Sequence, residues 1–241
     1  MNKYLLEIAA FTLDGLLTAA KSGADRIELC ENPHDGGTTP SYGMLHGIKE
    51  VATIPIFPII RPRGGDFVYS EYEFEVMKTD ILLCKELGYP GLVTGLLNEK
   101  GEVDIARTSL LVSLAGPMQV TFHRAFDRTS SPMQALEDII ECGCSRILSS
   151  GQFPSVTDGI HLLRSLVEIA GERIIIMPGS GLNSGNVKEI AEVTNACEFH
   201  TAARKKINGA SSPSTMKEVL SFVSVDEDEV RSIRSVLDAL A

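Results

Sequence analysis

Short apolar runs rich in β-branched residues alternate with longer amphipathic segments eight times along the 241 residues, and this alternation restricts the fold more than any other feature. The runs are short and apolar throughout, as strands are when both faces of their sheet are covered. Predicted strands fall at 4–8, 26–29, 56–60, 92–94, 119–122, 146–148 and 173–177, and an eighth opens at 198–199. Predicted helices cover 14–22, 41–51, 71–87, 105–114, 132–142, 156–169 and 184–193, with a last acidic helix at 226–240. Ser41 reads as an N-cap, while Gly23, Gly88 and Gly143 read as helix stops. Eight strand–helix units are the number that closes a barrel. A doubly wound open sheet holds the same alternation, but it more often has fewer strands and a glycine-rich nucleotide loop after the first. No such loop follows residue 8. The expected fold is therefore α/β, a (β/α)8 TIM barrel forming a single domain over residues 1–241.

Hydrophobic residues make up 44% of the chain, ample for a sizeable core. Lys plus Arg number 22 against 32 Asp plus Glu, a net charge of −10 that argues against nucleic acid or an anionic membrane as partner. An anionic ligand must be met by a local basic cluster. No apolar run is long enough to span a bilayer, and no charged-then-apolar leader precedes the first strand. Five scattered cysteines, an odd number, suggest free thiols in a reducing cytosol, so a cytoplasmic location is expected. Gly209-Ala210-Ser211-Ser212-Pro213-Ser214 is the one flexible-looking stretch and reads as a surface loop.

Polar residues gather where the predicted strands end. Thr121-Phe122-His123-Arg124-Ala125-Phe126-Asp127 packs three ionisable groups between a strand and a helix, which no folding rule requires. Glu7 lies near the end of strand one, and Glu28, Cys30 and Glu31 around the end of strand two. Arg61 and Arg63 leave strand three, Ser149 and Ser150 strand six, Pro178-Gly179-Ser180-Gly181 strand seven, and His200 comes with strand eight. The strand starts show nothing comparable on this reading, and the C-terminal rim is where barrel active sites form. Glu7, Glu28, His123 and His200 suit acid–base pairing or a hard or borderline metal. Arg61, Arg63 and Arg124 suit a clamp on carboxylate or phosphate. Gly179, Ser180 and Gly181, running into a helix begun near Ser184, offer bare backbone N–H groups to an anion, with Ser150 nearby at the same rim.

Plainer readings stand beside these. On these readings Glu28 and Arg61 simply pair between neighbouring strands, and the glycines of the 179–181 turn serve only the turn. His34, His46 and His161 read as surface residues. Cys142 and Cys144 flank a helix stop and read as core, as do Cys84 and Cys197 inside their elements. Cys30 alone reads as a rim thiol, and one thiol falls short of the two or more soft ligands that copper(I) wants.

Taken together, these motifs resemble the CutC family of barrel proteins, named for a proposed role in copper homeostasis. The resemblance rests on Ile27-Glu28-Leu29-Cys30, Gly36-Gly37-Thr38-Thr39-Pro40-Ser41, Arg61-Pro62-Arg63-Gly64-Gly65-Asp66-Phe67, the 121–127 segment, Met177-Pro178-Gly179-Ser180-Gly181 and Glu198-Phe199-His200. It covers residues 1 to about 205. It implies a (β/α)8 barrel, a cytoplasmic location, homodimers or higher homo-oligomers, and copper(I) binding with Cys30 as the matching metal ligand. No cysteine lies between Ser41 and Ile60, where a second thiol is proposed in some members.

Two functions follow as expectations. One is copper(I) handling at Cys30, with Met177 or His200 as further ligands. The other is an enzyme of isomerase, lyase or aldolase type acting on a small anionic, carbonyl or sugar-like substrate. There Glu7 or Glu28 would be the base, His123 or His200 the acid, Asp127 would share the rim, and the arginines would hold the anion. No lysine stands at a strand end to form a Schiff base.

Overall fold

The strands close into a cylinder. The computed structural model describes residues 4–209 and 220–241. β1 (Leu5–Ala10), β2 (Arg26–Leu29), β3 (Ile56–Pro58) and β8 (Glu198–Thr201) form one parallel sheet in the order β3-β2-β1-β8. β4 (Gly91–Thr94), β5 (Gln119–Phe122), β6 (Arg146–Ser149) and β7 (Ile175–Pro178) form the other in chain order. Parallel bridges Ile59↔Val93 and Gly179↔His200 join the two sheets at both seams, giving the eight-stranded barrel expected from the alternation.

Helices α1 (Leu13–Lys21), α2 (Tyr42–Lys49), α3 (Glu71–Glu86), α4 (Ile105–Ala115), α5 (Pro132–Glu141), α6 (Ile160–Ala170) and α7 (Val187–Thr194) follow the strands in turn. Ser41 caps α2 by accepting from the Met44 N–H, and Ser70 forms a full capping box with Glu73 at the start of α3. α6 and α7 begin later than predicted. Ahead of α6, Gly151 and Gly159 bring backbone against backbone; a Cβ on Gly159 would lie 1.9 Å from the Ser150 carbonyl oxygen. Ahead of α7, the Asn186 side chain accepts from the Asn183 N–H at 2.8 Å and holds a turn where helix was expected.

One element pair is unpredicted. β9 (Arg204–Asn208) and β10 (Ser221–Val225) form an antiparallel hairpin before α8 (Glu227–Ala239). Arg204-Lys205-Lys206 looks like loop by composition, yet β10 is covered by α1: Gly15 sits against Ser224 and Val225. Residues 210–214 of the predicted flexible loop lie outside the described residues.

Two apolar regions result. The larger lies between strands and helices and includes Leu6, Ile8, Ile27, Phe122 and Phe199. The smaller is the barrel lumen, where Cys30, Phe57, Ile59 and Val93 pack with Phe11. Below it the lumen is ionic. Arg26 and Arg146 stack on Phe57 at 5.0 and 5.3 Å and both donate to Glu198 Oε2, at 2.5 and 3.0 Å. Gly91 makes room for Phe57, since a Cβ there would be 2.4 Å from the ring. This layer sits at the strand starts, so the expectation that nothing ionisable gathers there is corrected.

Candidate active site

A cavity of about 800 Å³ opens at the C-terminal ends of the strands. Glu28, Arg61, His123, Arg124, Ser180, Gly181 and His200 line it, so groups far apart in the chain share one mouth.

Its chemical centre is a relay of three groups on β1, β2 and β8. Glu7 is fully buried, accepts from Arg26 through Oε2, and meets His200 Nδ1 through Oε1 at 2.8 Å. Burial alone would raise the Glu7 carboxyl, but the Arg26 charge and the His200 hydrogen bond outweigh it and bring the carboxyl down to about 2. Glu7 is thus ionised, and it fixes Nδ1–H of His200 toward itself. The opposite nitrogen, Nε2, faces Glu28 Oε2 at 3.7 Å. Burial pushes Glu28 up to about 7, and the nearby Glu7 charge adds to the push while His200 opposes it. His200 itself is raised: burial lowers it, but the bond to Glu7 and the Glu28 charge prevail. Two neighbouring groups that line the cavity are therefore both raised, Glu28 into the neutral range. Glu7 does not line the cavity, so its position is behind His200 rather than against a substrate.

His123 follows β5 and caps the 3₁₀ turn Arg124–Arg128 by accepting from the Ala125 N–H through Nδ1 at 3.2 Å. Burial and the Arg61 charge press it down to about 3, so the ring is neutral and carries its hydrogen on Nε2. That nitrogen is buried with no hydrogen-bond partner. The ring rests on Phe67 at 4.9 Å and needs Gly95, where a Cβ would lie 2.6 Å from Nδ1.

The arginines divide. Arg61 is 4% exposed and donates to the backbone carbonyls of Asp35, Gly37 and Gly65 at 2.6, 2.8 and 2.9 Å, binding the loop after β2 to the loop after β3. It makes no ion pair with Glu28, so that plainer reading is corrected; Glu28 turns to His200. Arg63, expected to hold an anion, turns away to Glu73 and Asp66 and stacks on Tyr69 at 5.2 Å, outside the cavity. Both arginines follow the end of β3, where the chain has left the strand and its alternation no longer sets their direction. Arg124 lines the cavity with Nε on Asp127 at 2.8 Å and Nη2 on Ser150 at 2.9 Å.

Asp127 and Ser150, expected as catalytic and ligand-binding residues, are consumed by the loop instead. Asp127 accepts from Arg124, Ser149 Oγ, the Ser150 N–H and the Gln152 N–H, and both its oxygens are occupied. Ser150 Oγ is bonded to Asp127 and the Phe153 carbonyl. Neither faces the cavity. Gly179 likewise supports: its N–H goes to the Ser149 carbonyl, and a Cβ would meet Leu148 at 2.4 Å and His200 at 3.1 Å.

Cys30 is 1% exposed and lies under Gly37, whose Cβ would be 3.2 Å from its sulfur. Burial, reinforced by Glu28, drives the thiol well above its usual range, so it stays protonated. Met177 Sδ accepts from Arg26 at 3.3 Å. Among the described residues, no group of three or more His, Cys, Asp and Glu is placed to hold a metal ion. Cys84, Cys142 and Cys144 are buried as expected, whereas Cys197, just ahead of β8, is exposed rather than interior.

Several residues of the site went unnoticed in the sequence. Arg26 and Glu28 are two apart on one strand, as are Glu198 and His200, and residues two apart on a strand share a face. That parity was the available signal for Arg26 and Glu198. Arg204, which stacks on Phe11 at 4.9 Å, and Asp226 and Glu229 at the start of α8 complete the cavity wall with no such local mark.

Comparison with known proteins agrees with this architecture. The sequence profile of the CutC family matches residues 4–205. A CutC family protein of Chromobacterium violaceum is 46% identical over 242 residues, 97% of this chain and 98% of its own. The human copper homeostasis protein cutC homolog is 46% identical over 203 residues, 84% of this chain and 74% of its own. A crystal structure of CutC from Streptococcus agalactiae superposes with a TM-score of 0.79 at 33% identity, covering 83% of this chain and 98% of that one. Phosphoribosylanthranilate isomerase of Thermotoga maritima, at 14% identity and a TM-score of 0.61 over 98% of this chain and 99% of its own, shares the barrel fold. The chain belongs to the CutC family.

Proposed function

We propose that the chain is an acid–base enzyme that moves a proton at a carbon beside a carbonyl in a small anionic substrate. The observation that carries this is Glu28, held up to about 7 by burial and lying 3.7 Å from His200 Nε2, both lining an open cavity. A base poised near neutral pH abstracts and returns protons efficiently. Glu28 takes the proton, and His200, oriented by the Glu7 carboxylate, returns it or passes it to a neighbouring oxygen. His123 presents a neutral N–H donor, without a partner in the protein, to the oxygen that gathers negative charge as the proton leaves. Arg61 and Arg124 supply the cationic side of the cavity. The test is deuterium uptake, followed by NMR, from a panel of hydroxy and oxo acids in D2O. Exchange by the wild type that fails in Glu28→Gln and His200→Asn supports the proposal; equal exchange in all three refutes it.

Copper(I) handling is the second reading, and the name of the human relative favours it. Cys30, beside Glu28, is its first ligand, and Met177 or His200 would add a second. Each carries an obstacle: the Cys30 proton must leave a buried thiol, Met177 must release Arg26, and His200 must release Glu7 or Glu28. Competition of the reduced protein with a copper(I) chelator decides this. A high-affinity site lost in Cys30→Ser supports copper binding, and an affinity unchanged by that substitution removes it.

A further inference from the structure

We infer that the ligand of this cavity is a short hydroxy-carboxylic acid without a phosphate group, its carboxylate toward Arg61 and His123 and its hydroxyls toward Glu229. This rests on the proton-transfer reading and names its substrate class.

Barrels commonly hold phosphate at the loops after strands seven and eight, at the start of a short helix. In this chain the Ser184 donors of that region are taken by the protein's own carboxylate. The Ser184 N–H donates to Glu229 Oε1 at 2.7 Å, and Ser184 Oγ donates to Oε2 at 2.9 Å. α8 delivers Glu229, and Asp226 from the same segment lines the same wall. A phosphate arriving there would meet the Glu229 carboxylate and no vacant Ser184 donor, with Asp226 paired to Lys205 at 3.8 Å and Arg204 as the cation on that wall. Carboxylate oxygens instead accept readily from hydroxyl groups.

The opposite wall has the reverse polarity. Arg61 is buried, its acceptors are three backbone carbonyls, and among the described residues no carboxylate lies within ion-pair distance of it; Asp66 feels its charge only from further off. Its Nε and the His123 Nε2 are both buried without partners. A buried guanidinium with no carboxylate in contact, beside an orphan donor, favours an anion at that place. A molecule with a carboxylate at one end and hydroxyls at the other matches both walls, and the Glu28–His200 pair stands at the floor they share.

Calorimetric titration of the full chain with glycerate and gluconate, and with 3-phosphoglycerate and 6-phosphogluconate, tests this. The expected result is saturable binding of at least one free acid, with its phosphate ester roughly tenfold or more weaker. Glu229→Ala should narrow or reverse that order. Glu229→Gln, which keeps the shape and removes the charge, gives the same direction if the alanine variant does not fold. An ester that binds the wild type as tightly as the free acid overturns the inference, and so does binding of neither class. Failure of the underlying proton-transfer reading is distinct: the acid binds, but its Cα–H does not exchange in D2O.

Discussion

Glu28→Gln should flatten the dependence of stability on pH between about 5 and 8. The Glu28 carboxyl has an ordinary value of 4.5 and is held near 7 in the folded protein, chiefly by burial. A raised acid holds its proton more tightly when folded than when unfolded. Its stabilising contribution is therefore complete below 4.5 and is lost as pH rises through about 7. His200 is raised as well and loses its contribution in the same direction. At about 1.4 kcal/mol per unit, the Glu28 shift alone corresponds to roughly 3 kcal/mol. For a chain of this length that is on the order of 6–12 °C in Tm. Glutamine has nearly the same shape and resembles the protonated acid. Wild type and variant should thus agree to about 1 kcal/mol at pH 5, and the variant should be the more stable at pH 8. Urea unfolding of both proteins at the two pH values reads this directly. Parallel curves, with the same gap at pH 5 and pH 8, would refute the assignment of a neutral-range proton to Glu28.

Arg26→Met should lower stability by about 3–5 kcal/mol in urea unfolding, because Glu7 and Glu198 lose a buried partner. Gly95→Ala should move the His123 ring, whose Nδ1 would lie 2.6 Å from the new Cβ; a cost of about 1–3 kcal/mol and a displaced ring in its crystal structure are expected. Asp127→Asn should loosen the loop after β6, seen as faster amide exchange at Ser150 and Gln152, which donate to that carboxylate. Among the five cysteines, Cys197 should be alkylated first in the native protein and Cys30 only on unfolding, as peptide mass spectrometry would show. The homo-oligomer expected from the family is checked by light scattering, where a mass near 26.0 kDa would count against it.

The barrel was legible because its signal repeats: each strand is a short apolar run, and each helix is bounded by a cap or a glycine. β9 and β10 were not, because a strand of Arg204-Lys205-Lys206 is specified by its pairing partner rather than by its own residues. At the site, Glu28, His123 and His200 stood out as ionisable groups at strand ends. Asp127 stood out equally and proved to be a clamp for backbone N–H groups, a role that depends on residues 22–25 positions away. Arg63 shares that strand-end position but leaves the site, because strand-end position does not fix where a long side chain goes once the chain turns. Glu229 lies 45 positions from the Ser184 it binds, a separation no local pattern reveals.

The family profile ends at residue 205, yet α8, which begins at Glu227, brings Glu229 to the cavity wall. Two members alike through their barrels but different in their tails would keep Glu28 and His200 behind different doorways. Exchanging tails between relatives, rather than altering barrels, is the direct way to change what such a protein accepts.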